Sequence, residues 1–206
     1  MDAQKKTLDA TERDQEKRGA WRRRYGRVDP GRFVFVDESS TNVRMVSIRA
    51  RTPKGERAFG KAPKNWDKNV TLISYISLEG MGPSMSIEGS ADGEAFLVYI
   101  EQFLCPTLKP GQVVVMDNLQ VHKMRRVREL IEGRGCELVF LPSYSPDFNP
   151  IEAAFSKVKT ILRKAKARSF ETLVEATGRA LYAVSERDAL GFFTHCGYAT
   201  LQAQSL

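Results

Sequence analysis

Tyr144-Ser145-Pro146-Asp147-Phe148-Asn149-Pro150-Ile151-Glu152 reads as a loop that turns into a helix. Pro150 suits the first turn of a helix and Glu152 its positive end. Beyond it Ile151, Phe155, Val158 and Leu162 recur at helical spacing, a stripe that faces the core. A second stripe at the same spacing carries Glu152, Ser156, Lys159, Arg163 and Lys166. Upstream lie two apolar runs that read as strands. Phe33-Val34-Phe35-Val36 is ended by Asp37, and Val113-Val114-Val115-Met116 by Asp117.

An acid at the end of an apolar strand is often only the point where the chain reaches water. Two such acids and a third on a helix allow more. Mg²⁺ takes oxygen ligands through a few carboxylates, and paired ions about 4 Å apart need them from several directions. Asp37, Asp117 and Glu152 are therefore the candidate catalytic residues and metal ligands. Glu38 follows Asp37 directly and, on a strand, points to the opposite face; it is not taken as a ligand.

The rest of the chain reads as mixed α/β. Residues 1–28 form a basic, helical linker arm with nine Lys/Arg against five Asp/Glu. Asp29-Pro30-Gly31 breaks it and opens a second unit, 29–206. Strands are expected at 33–37, 43–50, 70–78, near 84–88, 112–117 and 136–141. Helices are expected at 91–104, 123–133, from Glu152 to about Lys166, 170–185 and 187–194. Between 51 and 65 runs a basic loop or hairpin. Strands first and alternating helices and strands later fit a mixed sheet flanked by helices.

A chain of 206 residues with 42% hydrophobic content can bury a sizeable core. No apolar stretch approaches the roughly 20 residues of a membrane span, and the charged N-terminus is not a signal peptide. The expected setting is cytoplasmic. Cys105, Cys136 and Cys196 are odd in number and lack a Cys-x-x-Cys pair, which argues against a zinc site or a disulfide framework. The net charge of +7 favours a polyanionic partner. It is concentrated: residues 153–170 hold Lys157, Lys159, Lys164, Lys166, Arg163 and Arg168 with no acid. Lys159, Arg163 and Lys166 continue the line of Glu152, so they read as a DNA-backbone track rather than a merely solvated face. Arg125 and Arg126, in the basic stretch 123–134, are further DNA-binding candidates.

Three segments together resemble a known family: Val36-Asp37-Glu38-Ser39, Met116-Asp117-Asn118 with His122, and the Tyr144–Glu152 string, with 34 residues between Asp117 and Glu152. They look like the DDE transposases of the mariner superfamily, in its bacterial insertion-sequence branch. The resemblance implies an RNase-H-like fold, a mixed five-stranded sheet flanked by helices, whose first and fourth strands bring Asp37 beside Asp117. It implies two Mg²⁺ ions (Mn²⁺ as substitute), with Asp37 bridging both, Asp117 on one and Glu152 on the other. Asn118, His122 and Asp147 would support the site. Asn118 would hold the strand end or a phosphate. His122 would contact DNA, position a water or serve only structurally. Asp147 would stabilise the turn before Pro150.

The implied activity is cleavage at transposon ends and transfer of the 3′-hydroxyls to target DNA. The implied partners are double-stranded DNA, a second copy in a homodimer or synaptic assembly, and a separately encoded N-terminal DNA-binding domain, since relatives carry helix-turn-helix units ahead of a linker like residues 5–21. A nucleoid-associated location follows. Two other readings stand beside it: a non-catalytic DNA-binding or oligomerisation fragment that regulates transposition, and an RNase-H-like nuclease on other nucleic acids.

Overall fold

The computed structural model of the chain describes residues 13–46, Lys54 and 69–198. A mixed sheet runs through its centre. Strand β1 (Phe33–Thr41) pairs in parallel with β5 (Val113–Met116) on one side and antiparallel with β2 (Val70–Ser77) on the other. β6 (Glu137–Phe140) extends the sheet in parallel beyond β5. Two short strands, β3 (Gly80–Met81) and β4 (Met85–Glu88), share the outer edge of β2. The sheet thus has six strands in five positions, β3 and β4 dividing one of them between the two ends of β2.

Both faces are covered, which is why the central strands are apolar throughout rather than alternating with polar residues. Side chains of a strand alternate between faces. Phe33 and Phe35 with Val113 and Val115 face one core, built by helices α1 (Gln15–Tyr25), α4 (Pro150–Ala165), α5 (Phe170–Tyr182) and α6 (Glu186–His195). Val34 and Val36 with Val114 and Met116 face the other, built by α2 (Gly93–Tyr99) and α3 (Arg125–Glu132). All three cysteines are free and buried. No helix among the described residues is long and apolar enough to cross a membrane.

Two expectations are corrected. β1 does not stop at Asp37: pairing with β2 carries it on to Thr41, so Asp37 lies within a strand, just past the parallel stretch. The expected strand at 43–50 is a turn in its described part. The Asn42 carboxamide oxygen accepts from Arg44 N–H at 3.0 Å, and the Asn42 carbonyl accepts from Met45 N–H at 3.3 Å. This is the local bonding by which Asn competes with a ladder. Residues 47–50 of that strand and the 51–65 loop, Lys54 excepted, lie outside the described residues.

The described part of the 1–28 arm is helical and packed down. Asp14 caps α1 by accepting from Glu16 and Lys17 N–H, and Trp21 and Tyr25 join the larger core.

Candidate active site

Strand parity builds the site. Asp37 follows Phe33 and Phe35 onto the face of α4, and Asp117 follows Val113 and Val115 onto the same face. The parallel register pairs Phe33 with Val113 and Phe35 with Val115; continued by two residues, it sets Asp37 opposite Asp117. On α4, Glu152 lies one residue beyond the buried Ile151 and is exposed. Asp37, Asp117 and Glu152 line one cleft of about 440 Å³, whose far wall is the Pro142–Pro146 loop.

Asp37 is 9% exposed and has both oxygens engaged. Oδ1 accepts from Glu38 N–H at 2.8 Å, and Oδ2 accepts from the Asn149 side-chain amide at 2.8 Å. Burial pushes its pKa up to about 7; the Glu38 amide works against this, and the charges of Asp117, Glu152 and Glu38 add to it. Asp117 is more open, with Oδ1 accepting from Leu119 N–H at 3.0 Å.

His122 is fully buried behind this pair. Its Nδ1 lies 2.6 Å from Asp117 Oδ1 and its Nε2 lies 3.3 Å from Glu38 Oε1, while its ring packs 4.4 Å from that of Phe96. The approach to Asp117 is a close charge contact that falls short of an aligned hydrogen bond. Burial disfavours the charged ring, but the two carboxylates outweigh it and push the pKa up to about 9. The buried His122 thus stands behind Asp117, away from the open side of the cleft. Glu38 does point away from the cleft, and serves as the outer anchor of His122.

Asn118 donates to Ser143 Oγ at 3.0 Å and so ties the end of β5 to the loop. Asp147 turns away from the cleft and pairs with Arg18 at 2.6 Å and Arg13 at 3.1 Å. Partial burial raises its pKa, yet the two arginines hold it below the usual carboxylate value. Tyr144 stands exposed at the cleft wall with φ of 56°, a left-handed backbone that bulky residues rarely adopt.

The basic candidates fall into two groups. Lys159, Arg163 and Lys166 lie on α4 or at its C-cap and make no ion pair with the described residues. Arg125 and Arg126 lie on α3, across the sheet, and pair with Glu129 at 3.1 and 3.7 Å. The fold does not bring the two groups onto one face. Lys157 is tied to Asp188 at 2.6 Å and Arg168 to the Val43 carbonyl at 2.8 Å.

Asn149 and Arg18 escaped the sequence reading. Asn149 sits at the N-cap of α4 but makes no capping bond, because its side chain is turned to Asp37. Its place between Asp147 and Pro150 was the available signal. Arg18, 8% exposed, gave none beyond its place in a charged helix.

The donor set suits a hard divalent cation: all three acids offer oxygen, and the charge they crowd together is what a cation would relieve. Among the described residues no three such side chains converge on one point. Mg²⁺ does not need them to, since it keeps waters and binds through one or two carboxylates plus substrate phosphates. Asp37 and Asp117 fit that role, with Glu152 across the cleft.

Residues 32–174 match the DDE superfamily endonuclease model, and the chain belongs to this family. It is 29% identical over 163 residues to the transposable element Tcb2 transposase of Caenorhabditis briggsae, and 27% identical over 163 residues to the Tc1 transposase of Caenorhabditis elegans. Each alignment covers 73% of this chain and 60% of the relative. The fold is that of the Mos1 structures. The Mos1 strand transfer complex superposes with a TM-score of 0.74 at 17% identity, over 96% of this chain and 63% of that one. The Mos1 mariner paired end complex with Mn gives 0.68 at 17%, over 93% and 61%. The isolated Mos1 catalytic domain gives 0.64 at 15%, over 93% and 91%.

Proposed function

We propose that this chain is the catalytic domain of a Tc1/mariner-type transposase, which cleaves DNA at transposon ends and joins the freed 3′-hydroxyls to target DNA. The observation that carries the reading is the shared cleft: Asp37, Asp117 and Glu152 line it from two parallel strands and one helix. The family match and the likeness to the nematode transposases support it.

In this reading Asp37 and Asp117, with Glu152 facing them, hold two Mg²⁺ ions, or Mn²⁺ in their place. Bound there, the ions lower the pKa of the attacking water or 3′-hydroxyl and stabilise the leaving oxygen. The chain's own residues orient and support. Asn149 holds one oxygen of Asp37, and His122 stands against Asp117 with Glu38 behind it. Lys159, Arg163 and Lys166 track the phosphate backbone. The partners are two transposon ends and a target duplex, and a second copy of the chain in a synaptic assembly. Placement in the bacterial insertion-sequence branch rests on the three segments around Asp37, Asp117 and Glu152, and a nucleoid-associated, cytoplasmic location goes with it.

The test is Mg²⁺- or Mn²⁺-dependent nicking of duplex DNA carrying the element's ends. Wild-type protein cleaves and Asp117→Asn and Glu152→Gln do not. Unchanged cleavage by Asp117→Asn would refute the assignment, and a clear preference for RNA–DNA hybrids would move it to another nuclease class.

A further inference from the structure

Helix α1 grips the turn that leads into α4. Arg18 donates through Nη1 to Ser145 Oγ at 2.6 Å and to Asp147 Oδ1 at 3.1 Å, and through Nη2 to Asp147 Oδ2 at 2.6 Å. This two-pronged geometry is the strong form of an arginine–carboxylate pair. The guanidiniums of Arg18 and Arg22 both lie over the Phe148 ring, 4.0 and 3.9 Å from its centroid. Trp21 Nε1 donates to Tyr198 Oη at 3.2 Å, and that hydroxyl donates to the Phe148 carbonyl at 2.9 Å. One turn is thus held at Ser145 and Asp147 by α1 directly and at Phe148 through the ring contacts and the Tyr198 relay, with Arg13, just ahead of the helix, also pairing with Asp147.

The next residue is Asn149. It is 4% exposed and its side chain donates to Asp37 Oδ2, while its own Oδ1 is buried without a partner among the described residues. Among the described residues its side chain makes no second bond that could fix it, so the backbone carrying it must set its position. That backbone is the turn that α1 holds.

We infer that α1 is a positioning element of the catalytic site: through Arg18 it fixes the Ser145–Phe148 turn, and the turn sets Asn149 on Asp37. The inference rests on the proposed metal-dependent chemistry for its consequence, but not for its geometry. Arg18 touches no reacting group. It acts through Asn149, and removing it should weaken the metal site without altering a single carboxylate in the cleft.

The experiment compares Arg18→Met, Arg18→Lys, Asn149→Ala, the Arg18→Met/Asn149→Ala pair and a control, Arg24→Met. Arg24 lies on the same helix and pairs with Glu137 at 2.9 Å, away from the turn. Two readouts are taken: Mn²⁺ affinity by calorimetry, and the NMR resonance of the Asn149 side-chain amide in metal-free protein. Loss of an outer partner of a ligand typically costs about 10–100-fold in metal affinity. That loss is expected for Arg18→Met and Asn149→Ala, with the double variant no worse than either, because both lie on one path.

Arg18→Lys should fall between, since an ammonium cannot grip Asp147 with two parallel bonds; it also serves if Arg18→Met does not fold. Arg24→Met should match wild type. The Asn149 amide resonance should move or broaden in both Arg18 variants and stay in place in the control. Wild-type Mn²⁺ affinity in the Arg18 variants, or an additive double variant, would overturn the inference. A wild-type protein that binds no Mn²⁺ would count against the proposed chemistry instead. An Asn149 resonance unmoved by either Arg18 substitution would overturn the positioning role in that case too.

Discussion

Asp37 and Asp117 stand at one level of two adjacent parallel strands, on the same face of the sheet, with α4 packed over that face. Strand parity delivers both carboxylates to the cleft, and their crowding is unfavourable when no cation is present. Asp37 is buried and has Asp117, Glu152 and Glu38 nearby, which together disfavour its charged form.

The pH dependence of stability follows. Asp37 titrates at 3.8 when unperturbed and at about 7 in the fold. Between those values the folded chain holds a proton that the unfolded chain has released, so stability falls as pH rises. His122 goes from 6.5 to about 9, so its contribution is fully present below 6.5 and is lost as pH rises through about 9. Both groups push the same way. The urea midpoint of metal-free protein should fall from pH ~5 to pH ~9; a tenfold difference in proton affinity between folded and unfolded chain is worth about 1.4 kcal/mol. Asp37→Asn should flatten the acid half of the fall and His122→Gln the alkaline half. A midpoint that rises across this range would contradict the electrostatics described.

Binding to duplex DNA should separate the two basic groups. Lys159 and Arg163 make no ion pair among the described residues, whereas Arg125 and Arg126 already have Glu129. Each phosphate contact contributes about 0.9 to the slope of log affinity against log salt. Lys159→Ala with Arg163→Ala should lower that slope by about 2, and Arg125→Ala with Arg126→Ala by less. Fluorescence anisotropy across a salt series measures both, and equal effects would count against the α4 track.

Helix α1 should behave as part of the domain in unfolding. Trp21 is 6% exposed, with its ring 4.3 Å from that of Tyr25. Replacing such a core residue in Trp21→Ala should cost about 3–5 kcal/mol. A detached linker would lose under about 0.5 kcal/mol. Urea denaturation distinguishes the two.

Local periodicity makes much of this fold legible in the sequence. The Pro150 helix is readable because its apolar spacing leaves one alternative, the β5 run because three consecutive valines after Pro110-Gly111 suit a buried strand, and the acids beside them because strand ends and helix starts are visible in a sequence. Pairing partners are not visible. β1 runs to Thr41 because β2 pairs with it, and Val43–Met45, apolar enough for a strand, turn because Asn42 takes the local hydrogen bonds. The helix after Gly93 relaxes into a π-helical turn at Ile100–Leu104, which no spacing of Phe96, Ile100 and Phe103 foretells. The residues that support the acids are the least readable part. Arg18 meets Asp147 across 129 positions of sequence, and Asn149 meets Asp37 across 112. His122 can be placed in the right motif, but its burial against Asp117 is visible only in the fold.

The most direct measurement is Mn²⁺ and Mg²⁺ binding by calorimetry to wild type, Asp37→Asn and Asp117→Asn. Wild type should bind, and both substitutions should abolish or severely weaken binding, because the proposed chemistry puts both carboxylates on one site. Equal binding by all three proteins would contradict this, and would mean that Asp37 and Asp117 do not hold the metal.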